Sequence, residues 1–72
     1  MDNKATKTLQ LGRKIFTYRK EKGYSQNELA ELLGISREHL AKVETGIRCL
    51  SFGLLVDIAD KLDKPVKDFI DF

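Results

Sequence analysis

With 72 residues, 42% of them hydrophobic and 33% charged, the chain can form one small globular domain but is too short to enclose a sizeable substrate cavity. The longest apolar run, Leu54–Val56, excludes a transmembrane helix, and the first ten residues lack the apolar centre of a signal peptide. The net charge of +2 is uneven: residues 1–22 carry a balance of +5, residues 23–48 of −1 and residues 49–72 of −2. The basic segment fits either attraction for nucleic acid or a solvated helix face.

Five helices and no strand are predicted, because no segment alternates apolar and polar residues and the β-branched residues do not cluster. The first helix is predicted from Thr8 to Lys22, where Leu11, Ile15 and Arg19 recur at helical spacing. Residues 1–7 are expected to form a flexible tail.

Serines introduce the second and third predicted helices. Ser25 and Glu28 have the spacing of a capping box, in which the serine side chain accepts from the Glu28 amide while the Glu28 side chain reaches back. Gly34 ends the second helix, Ser36 caps the third, and Gly46 ends the third.

A third serine, Ser51, caps the predicted fourth helix. Pro65 is expected to close this helix and to start a short fifth one over Val66–Ile70. The domain is therefore predicted to span residues 8–72. The buried stripe of the fourth helix is expected to contain Leu55, Ile58, Ala59 and Leu62.

The second and third helices are joined by about three residues around Gly34, a length that suits a crossing near perpendicular. Glycine allows the positive φ that such a turn needs, and the small Ala30 lets the two helices approach closely. The inward-pointing residues are predicted to be Leu29, Leu33, Ile35, Leu40 and Val43. The opposite side of the third helix presents Glu38, Lys42 and Thr45, and it is flanked by Arg37, His39 and Ala41.

The stretch SQNELAELLGISREHLAKVETG, residues 25–46, resembles the helix-turn-helix of the Cro and phage-repressor family of DNA-binding domains. The residues at that family's positions are Ala30, Gly34, Ile35, Leu40 and Val43. The resemblance extends over Leu11–Ile70 and departs at Leu50–Ser51, where the family often has proline and serine. It implies an all-α, five-helix, lambda-repressor-like domain whose helix-turn-helix is formed by helices two and three.

The resemblance also implies that the third helix enters the major groove of double-stranded DNA by its N-terminal end. The expected base-contacting residues are Arg37, Glu38 and Lys42. Arginine can bind guanine O6 and N7, and glutamate can accept from cytosine N4. Expected contacts to the DNA backbone come from Gln26, Ser36, His39, Thr45 and Arg48, with Arg13 or Lys14 as further candidates. Without the motif, Arg37 and Glu38 would be explained as exposed polar residues at a helix start.

Two charged residues fall on inward faces of predicted helices. Arg19 follows Ile15 by four residues, and Glu44 follows Leu40 by four. Because an isolated buried charge is very costly, we expect Arg19 and Glu44 to form an ion pair that fastens the first helix to the third. The resemblance implies the same pair.

A homodimer is expected, because one recognition helix reads only a few base pairs and this family commonly binds partly palindromic operators as two-fold dimers. The predicted seam contains apolar residues at the start of the fourth helix and at the C-terminus: Phe52, Val56, Phe69 and Phe72. Alternatively, Phe69 and Phe72 complete the core of the monomer.

Three classes of function are compatible with the chain: a DNA-binding transcriptional regulator such as a repressor or controller protein, a protein-interaction module, and an enzyme. The first is favoured by the polar third helix, and no local motif unites serine, histidine and aspartate as an enzyme would need. Neither a cofactor nor a small-molecule ligand is expected. His39 and Cys49 are too few to form a metal site. Cys49, the single cysteine, is interpreted as a loop residue rather than a redox sensor, and it indicates a reducing cytoplasm.

Overall fold

Four α-helices and one short 3₁₀ turn make up the part of the chain that the computed structural model describes, which is residues 4–71, with side chains from residue 6 onward. No strand is present in these residues, as predicted. The elements are α1 (Lys4–Lys22), α2 (Gln26–Leu33), α3 (Arg37–Glu44), α4 (Phe52–Lys61) and the 3₁₀ turn (Val66–Asp68). Helix α1 packs on α3, α2 packs on both α3 and α4, and the 3₁₀ turn packs on α4.

Helix α1 begins at Lys4, four residues before the predicted start at Thr8. The predicted start at Thr8 lies three residues before Leu11, the first residue of the expected buried stripe. However, the preceding segment contains no glycine or proline, and each residue added to an existing helix gains a backbone hydrogen bond. Residues 4–7 therefore continue α1 outward. Residues 1–3 of the predicted tail lie outside the described residues.

The three predicted serine caps are confirmed. Ser25 Oγ accepts from the Glu28 amide at 3.0 Å, and the Ser25 amide donates to Glu28 Oε1 at 2.8 Å, which completes the capping box. The hydroxyls of Ser36 and Ser51 each accept from the amide three residues later, at 3.0 and 3.1 Å. These local bonds fix where α2, α3 and α4 begin.

The turn between α2 and α3 depends on the backbone conformation of Gly34. Its φ is +73°, a left-handed conformation that glycine adopts at little cost. A Cβ at this position would contact no atom within 4 Å, so conformation rather than space requires the glycine. The next amide, that of Ile35, donates back to the Ala30 carbonyl at 3.1 Å.

The last predicted helix is replaced by the 3₁₀ turn, so the prediction of a fifth α-helix was wrong. The Asp68 and Phe69 amides donate to the carbonyls three residues before them, at 3.0 and 2.9 Å. Pro65 stands at the start of the turn without a side-chain cap. So few residues cannot offset the cost of starting an α-helix, and the tighter 3₁₀ turn suits short segments.

Helix α4 also ends earlier than predicted, at Lys61 rather than next to Pro65. Asp63 adopts a φ of +57°, and the Lys64 amide donates back to the Ala59 carbonyl at 3.0 Å. The Lys22 ammonium at the end of α1 donates to the Asp63 carboxylate, and this hydrogen bond raises the pKa of Lys22. A local turn at Asp63 therefore ends α4 before proline can do so.

Phe69 belongs to the core of the monomer, so its prediction as a dimer-interface residue was wrong. Its side chain is fully buried, and its ring meets the Tyr18 ring edge-on with centroids 5.1 Å apart. Phe72 lies outside the described residues. The core consists of Ile15, Leu29, Ala30, Leu40, Val43, Leu55, Ile58, Ala59, Leu62 and Phe69.

The structure brings Arg19 and Glu44 together as an ion pair between α1 and α3. Arg19 Nε lies 2.7 Å from Glu44 Oε2, and Nη2 lies 3.1 Å from Oε1. The two side chains are only 6% and 2% exposed. Arg19 Nη1 also donates to the Tyr24 carbonyl at 2.8 Å. No buried side-chain nitrogen or oxygen in the described residues lacks a hydrogen-bond partner.

Gly12 allows a close approach of α1 to α3 that the sequence analysis did not anticipate. A Cβ at Gly12 would lie 2.4 Å from the Val43 carbonyl oxygen and 2.6 Å from that of Glu44. No side chain fits between the two backbones here. Because Arg19 lies two helical turns further along α1, this contact also helps to set the position of its guanidinium.

We predict that Gly12→Ala lowers the free energy of unfolding by at least about 2 kcal/mol, because the new methyl group meets rigid backbone atoms. The matched control is Gly53→Ala in α4, where a Cβ would meet only Ser51 Oγ at 3.9 Å. That control should be neutral, or stabilising by up to about 1 kcal/mol from helix propensity. Urea unfolding followed by circular dichroism measures both. Equal effects of the two substitutions would contradict the predicted close contact.

We predict that Glu44→Ala lowers the free energy of unfolding by about 3 kcal/mol, because it leaves the Arg19 charge buried and unpaired. The control is Glu21→Ala, which removes an exposed partner 3.8 Å from the Lys64 ammonium and should change stability by less than about 0.5 kcal/mol. Thermal and urea unfolding give both values. A loss below about half a kcal/mol for Glu44→Ala would show that the buried pair contributes no more than a surface pair.

Candidate nucleic-acid interface

The three residues predicted to read bases all lie on α3, two at its start and the third one turn later. Arg37 and Glu38 occupy its first turn, and Lys42 follows Glu38 by four residues on the same side. All three are exposed, and within the described residues no hydrogen bond or ion pair engages their side chains. The opposite side of α3 is buried through Leu40 and Val43, together with Glu44. These long polar side chains therefore extend into solvent from a helix that is fixed from behind.

The charges of this surface are mixed, since Arg37 and Lys42 are cationic and Glu38 is anionic. A purely cationic surface would attract any stretch of duplex, whereas a carboxylate among the cations penalises positions where it meets phosphate or a base acceptor. The arrangement can therefore support discrimination as well as attraction.

Gln26 lies at the start of α2, but its side chain also contacts α3. Gln26 Nε2 donates to Glu44 Oε1 at 2.9 Å, and the side chain is half-buried. The resemblance implies that Gln26 contacts the DNA backbone and steadies the third helix, but it does not identify Glu44 as the partner of Gln26. Spacing along the chain gives no sign of this bond, because it joins residues 18 positions apart.

The hydroxyls of Ser36 and Thr45 differ in what they can offer a phosphate. Ser36 Oγ accepts the His39 amide, so its own hydrogen remains available as a donor. Thr45 Oγ1 instead lies within bonding distance of two α3 carbonyls, at 3.0 and 3.3 Å. Its hydrogen is used inside the helix, so the predicted phosphate contact of Thr45 requires this bond to be broken. The His39 side chain is half-buried beside Ser36.

The structure distinguishes Arg13 from Lys14, the two alternatives for a contact from α1. Lys14 Nζ donates to the Asp71 carbonyl at 3.3 Å, whereas Arg13 is exposed. Arg48, in the connection between α3 and α4, is also exposed. Among the predicted cations outside α3, Arg13 and Arg48 are therefore more accessible to a phosphate than Lys14 is.

An apolar surface at the start of α4 agrees with part of the predicted dimer seam. Phe52 is 70% exposed and Val56, one helical turn later, is 41% exposed. Ile47, in the preceding connection, is 75% exposed, and the sequence analysis did not single it out. The sequence did contain a sign of this exposure. Ile47 directly follows Gly46, which ends the third helix, so Ile47 does not continue the buried stripe of that helix.

Neither a metal-binding cluster nor a membrane-spanning helix occurs in the described part of the chain. Residues 4–71 contain no group of three or more His, Cys, Asp or Glu side chains that could hold a metal ion. None of the helices α1–α4 is both long and apolar enough to cross a membrane. The Cys49 thiol is exposed and lies 3.6 Å from Thr8 Oγ1.

Comparison with known proteins agrees with this geometry. A family model described as helix-turn-helix matches residues 15–69, more than half of the chain. An uncharacterized helix-turn-helix-type transcriptional regulator of Rickettsia conorii is 38% identical over 61 residues, which cover 85% of this chain and 49% of that protein. The transcriptional regulator SinR of Bacillus subtilis is 37% identical over 62 residues, which cover 85% of this chain and 56% of SinR. The chain spans about half the length of these two relatives.

Two solved structures share the fold over nearly all of the chain. The restriction-modification controller protein C.AhdI from Aeromonas hydrophila superposes with a TM-score of 0.87 at 29% identity, covering 96% of this chain and 99% of that one. SinR, described as a master regulator for biofilm formation and solved in complex with DNA, gives a TM-score of 0.80 at 37% identity, covering 85% and 98%. These matches confirm the resemblance of residues 25–46, and the chain belongs to the helix-turn-helix family.

Proposed function

We propose that the chain is a sequence-specific DNA-binding transcriptional regulator, a repressor or controller protein, in which α3 reads the major groove. The observation that carries the proposal is the two-sided character of α3. Its buried side is fixed by Leu40, Val43 and the Arg19–Glu44 pair, while the exposed side chains of Arg37, Glu38 and Lys42 have no partner within the described residues. The similarity to SinR, whose DNA complex is known, supports the same function.

Base reading is assigned to Arg37, Glu38 and Lys42. The guanidinium of Arg37 can bind guanine O6 and N7 with two parallel bonds, and Glu38 can accept from cytosine N4. Lys42 lies one turn after Glu38 along α3 and can donate to guanine acceptors or to phosphate. Because Glu38 repels phosphate, its presence favours sequences that offer a donor at that position.

Contacts to phosphate come from residues around the groove-reading helix. The backbone amides of Gln26 and Asn27, at the start of α2, have no intrahelical acceptors, whereas the Glu28 amide already donates to the Ser25 hydroxyl. The free hydrogen of Ser36, the side chain of His39, and the exposed cations Arg48 and Arg13 supply further donors. Such contacts fix the orientation of the protein on the duplex without selecting a sequence.

A homodimer is proposed through the exposed apolar surface of Phe52 and Val56, with Ile47 beside it in sequence. Phe52 and Val56 lie on one side of α4, so a two-fold axis beside α4 would bury both copies of each. Two α3 helices would then read a partly palindromic operator with half-sites about 10 base pairs apart. Function on DNA also fits the cytoplasmic location that the single cysteine indicates.

A protein-interaction module is the second candidate function. It would be favoured by a third helix without long polar side chains, and α3 of this chain shows the opposite. Binding-site selection from randomised duplex DNA, followed by mobility-shift titration at two salt concentrations, tests the choice. Enrichment of one motif and binding that weakens with salt support the proposed function. Failure to enrich any motif, with no shift at low salt, contradicts it.

We predict that Arg37→Ala weakens binding to the selected operator by about 1–3 kcal/mol per half-site and removes the preference at one base position. The reason is that the arginine bonds to a base edge. Titration of wild type and variant against the operator and its single-base changes measures the effect. An equal loss of affinity for every sequence would mean that α3 does not read bases in this way.

The matched control for Arg37→Ala is Arg48→Ala, which removes the same charge from an exposed residue outside α3. It should weaken binding to all sequences similarly and reduce the log–log salt slope by about one for each phosphate that the variant no longer binds. The base preferences of the operator should remain. Loss of preference at a base position in Arg48→Ala would instead assign base reading to the α3–α4 connection.

We predict that Phe52→Gln weakens self-association at least about a hundredfold, since burial of one phenylalanine contributes about 1.5–3 kcal/mol, each dimer loses two, and about 1.4 kcal/mol corresponds to a factor of ten. The fold should tolerate the change, because Phe52 is 70% exposed. Leu32→Gln, on α2, is the control: Leu32 is also exposed, at 47%, but lies outside the proposed seam. Sedimentation equilibrium compares the three proteins. A wild-type chain that stays monomeric at high micromolar concentration, with and without operator DNA, contradicts the proposed dimer.

A further inference from the structure

We infer that Glu44, held in place by Arg19, is a positioning residue that orients the Gln26 side chain for a phosphate contact. The inference rests on the proposed function and extends it, because it assigns a role in DNA affinity to an ion pair that is buried inside the protein. Its central observation is the 2.9 Å hydrogen bond from Gln26 Nε2 to Glu44 Oε1.

The carboxylate determines which end of the Gln26 amide points inward. An ionised carboxylate only accepts hydrogen bonds, so the amide must turn its nitrogen, and not its oxygen, toward Glu44. A carboxamide nitrogen carries two hydrogens, and one of them is engaged with Oε1. The second N–H bond diverges from the first in the plane of the amide, away from the buried pair. A donor therefore faces outward, where a phosphate can accept it.

Glu44 can impose this orientation because its own position is fixed. Arg19 Nε and Nη2 bind its two oxygens at 2.7 and 3.1 Å, and the Glu44 side chain is only 2% exposed. The Arg19 guanidinium is anchored in turn to the Tyr24 carbonyl, directly before the cap of α2. Hydrogen bonds thus connect Tyr24 to Arg19, Arg19 to Glu44, and Glu44 to Gln26. This series begins and ends beside the N-terminus of α2. The amide is thus ordered before DNA arrives, which lowers the entropic cost of the contact.

Charge alone predicts the opposite effect for Glu44. A negative charge close to a phosphate reduces DNA affinity, so its removal should strengthen binding at every sequence. If Glu44 instead orients Gln26, its removal should weaken binding. The sign of the change in affinity therefore separates a positioning role from simple electrostatics.

The experiment is a double-mutant cycle on operator affinity with Gln26→Ala, Glu44→Gln and the double variant, each corrected for its folded fraction by circular dichroism at low temperature. Gln26→Ala should weaken binding about tenfold at all sequences, the effect of one hydrogen bond to a charged group. Glu44→Gln should weaken binding in the same way, because a neutral amide accepts less strongly and can itself donate, so the Gln26 amide is free to flip. The double variant should bind about as tightly as Gln26→Ala alone.

Glu28→Gln is the matched charge control, because Glu28 also lies in the first turn of α2 but binds the Ser25 amide rather than Gln26. Its neutralisation should leave affinity unchanged or raise it. An increase of affinity in Glu44→Gln like that in Glu28→Gln would overturn the inference. Losses that multiply in the double variant would overturn it as well, since they would show that the two residues act independently.

Two further measurements apply if Glu44→Gln does not fold. Gln26→Asn leaves the Arg19–Glu44 pair intact but is shorter by one methylene, so it cannot reach Glu44 and a phosphate together and should lose as much affinity as Gln26→Ala. Affinity equal to wild type in Gln26→Asn contradicts the inference.

In the wild-type protein without DNA, NMR should show one slowly exchanging, downfield-shifted side-chain hydrogen on Gln26. Two side-chain hydrogens that both exchange freely would contradict the proposed orientation. Failure of the wild-type protein to bind any duplex would instead contradict the proposed function. Failure of the proposed function is thereby distinguished from failure of this inference, in which wild type binds DNA but the variants do not behave as expected.

Discussion

The relative placement of the first three helices depends on one buried ion pair. Arg19 and Glu44 are almost fully covered, and burial of two charges is favourable only when their geometry is good and their remaining hydrogen-bonding groups are satisfied. Here the Tyr24 carbonyl and the Gln26 amide complete the set. A pair of apolar residues could fill the same space, but apolar contacts are not directional and would not fix the relative orientation of the helices. The bonds therefore join α1, the α1–α2 turn, α2 and α3 in one defined arrangement.

The ten core residues found in the described part of the chain can hold α3 in place because α3 needs support on one side only. Close backbone contact at Gly12, the buried residues Leu40 and Val43, and the Glu44 carboxylate all act on the inner side of α3. Its outer side needs no structural contacts and can carry long, mobile side chains. Two of the residues proposed for phosphate contact differ in this respect, because Gln26 and Ser36 are already hydrogen-bonded within the protein.

Several sequence-based predictions differ from the structure, each for its own physical reason. The expected fifth helix became a 3₁₀ turn because its segment is too short to offset the cost of helix initiation. Phe69 was expected at a dimer seam, yet its ring is needed against Tyr18 to close the core of the monomer. Helix α1 starts early because nothing in the preceding residues stops it.

The sequence by itself determined the features that arise from residues a few positions apart. These are the serine caps, the capping box, the turn at Gly34 and the polar side of α3, since each involves local backbone bonds or helical periodicity. Spacing also predicted that Arg19 and Glu44 would face inward. Only the tertiary structure decided what depends on which helix lies against which. Examples are the close approach at Gly12, the contact of Lys14 with Asp71 and the bond from Gln26 to Glu44. Such contacts join residues far apart in the chain, and no local pattern encodes the distance between them.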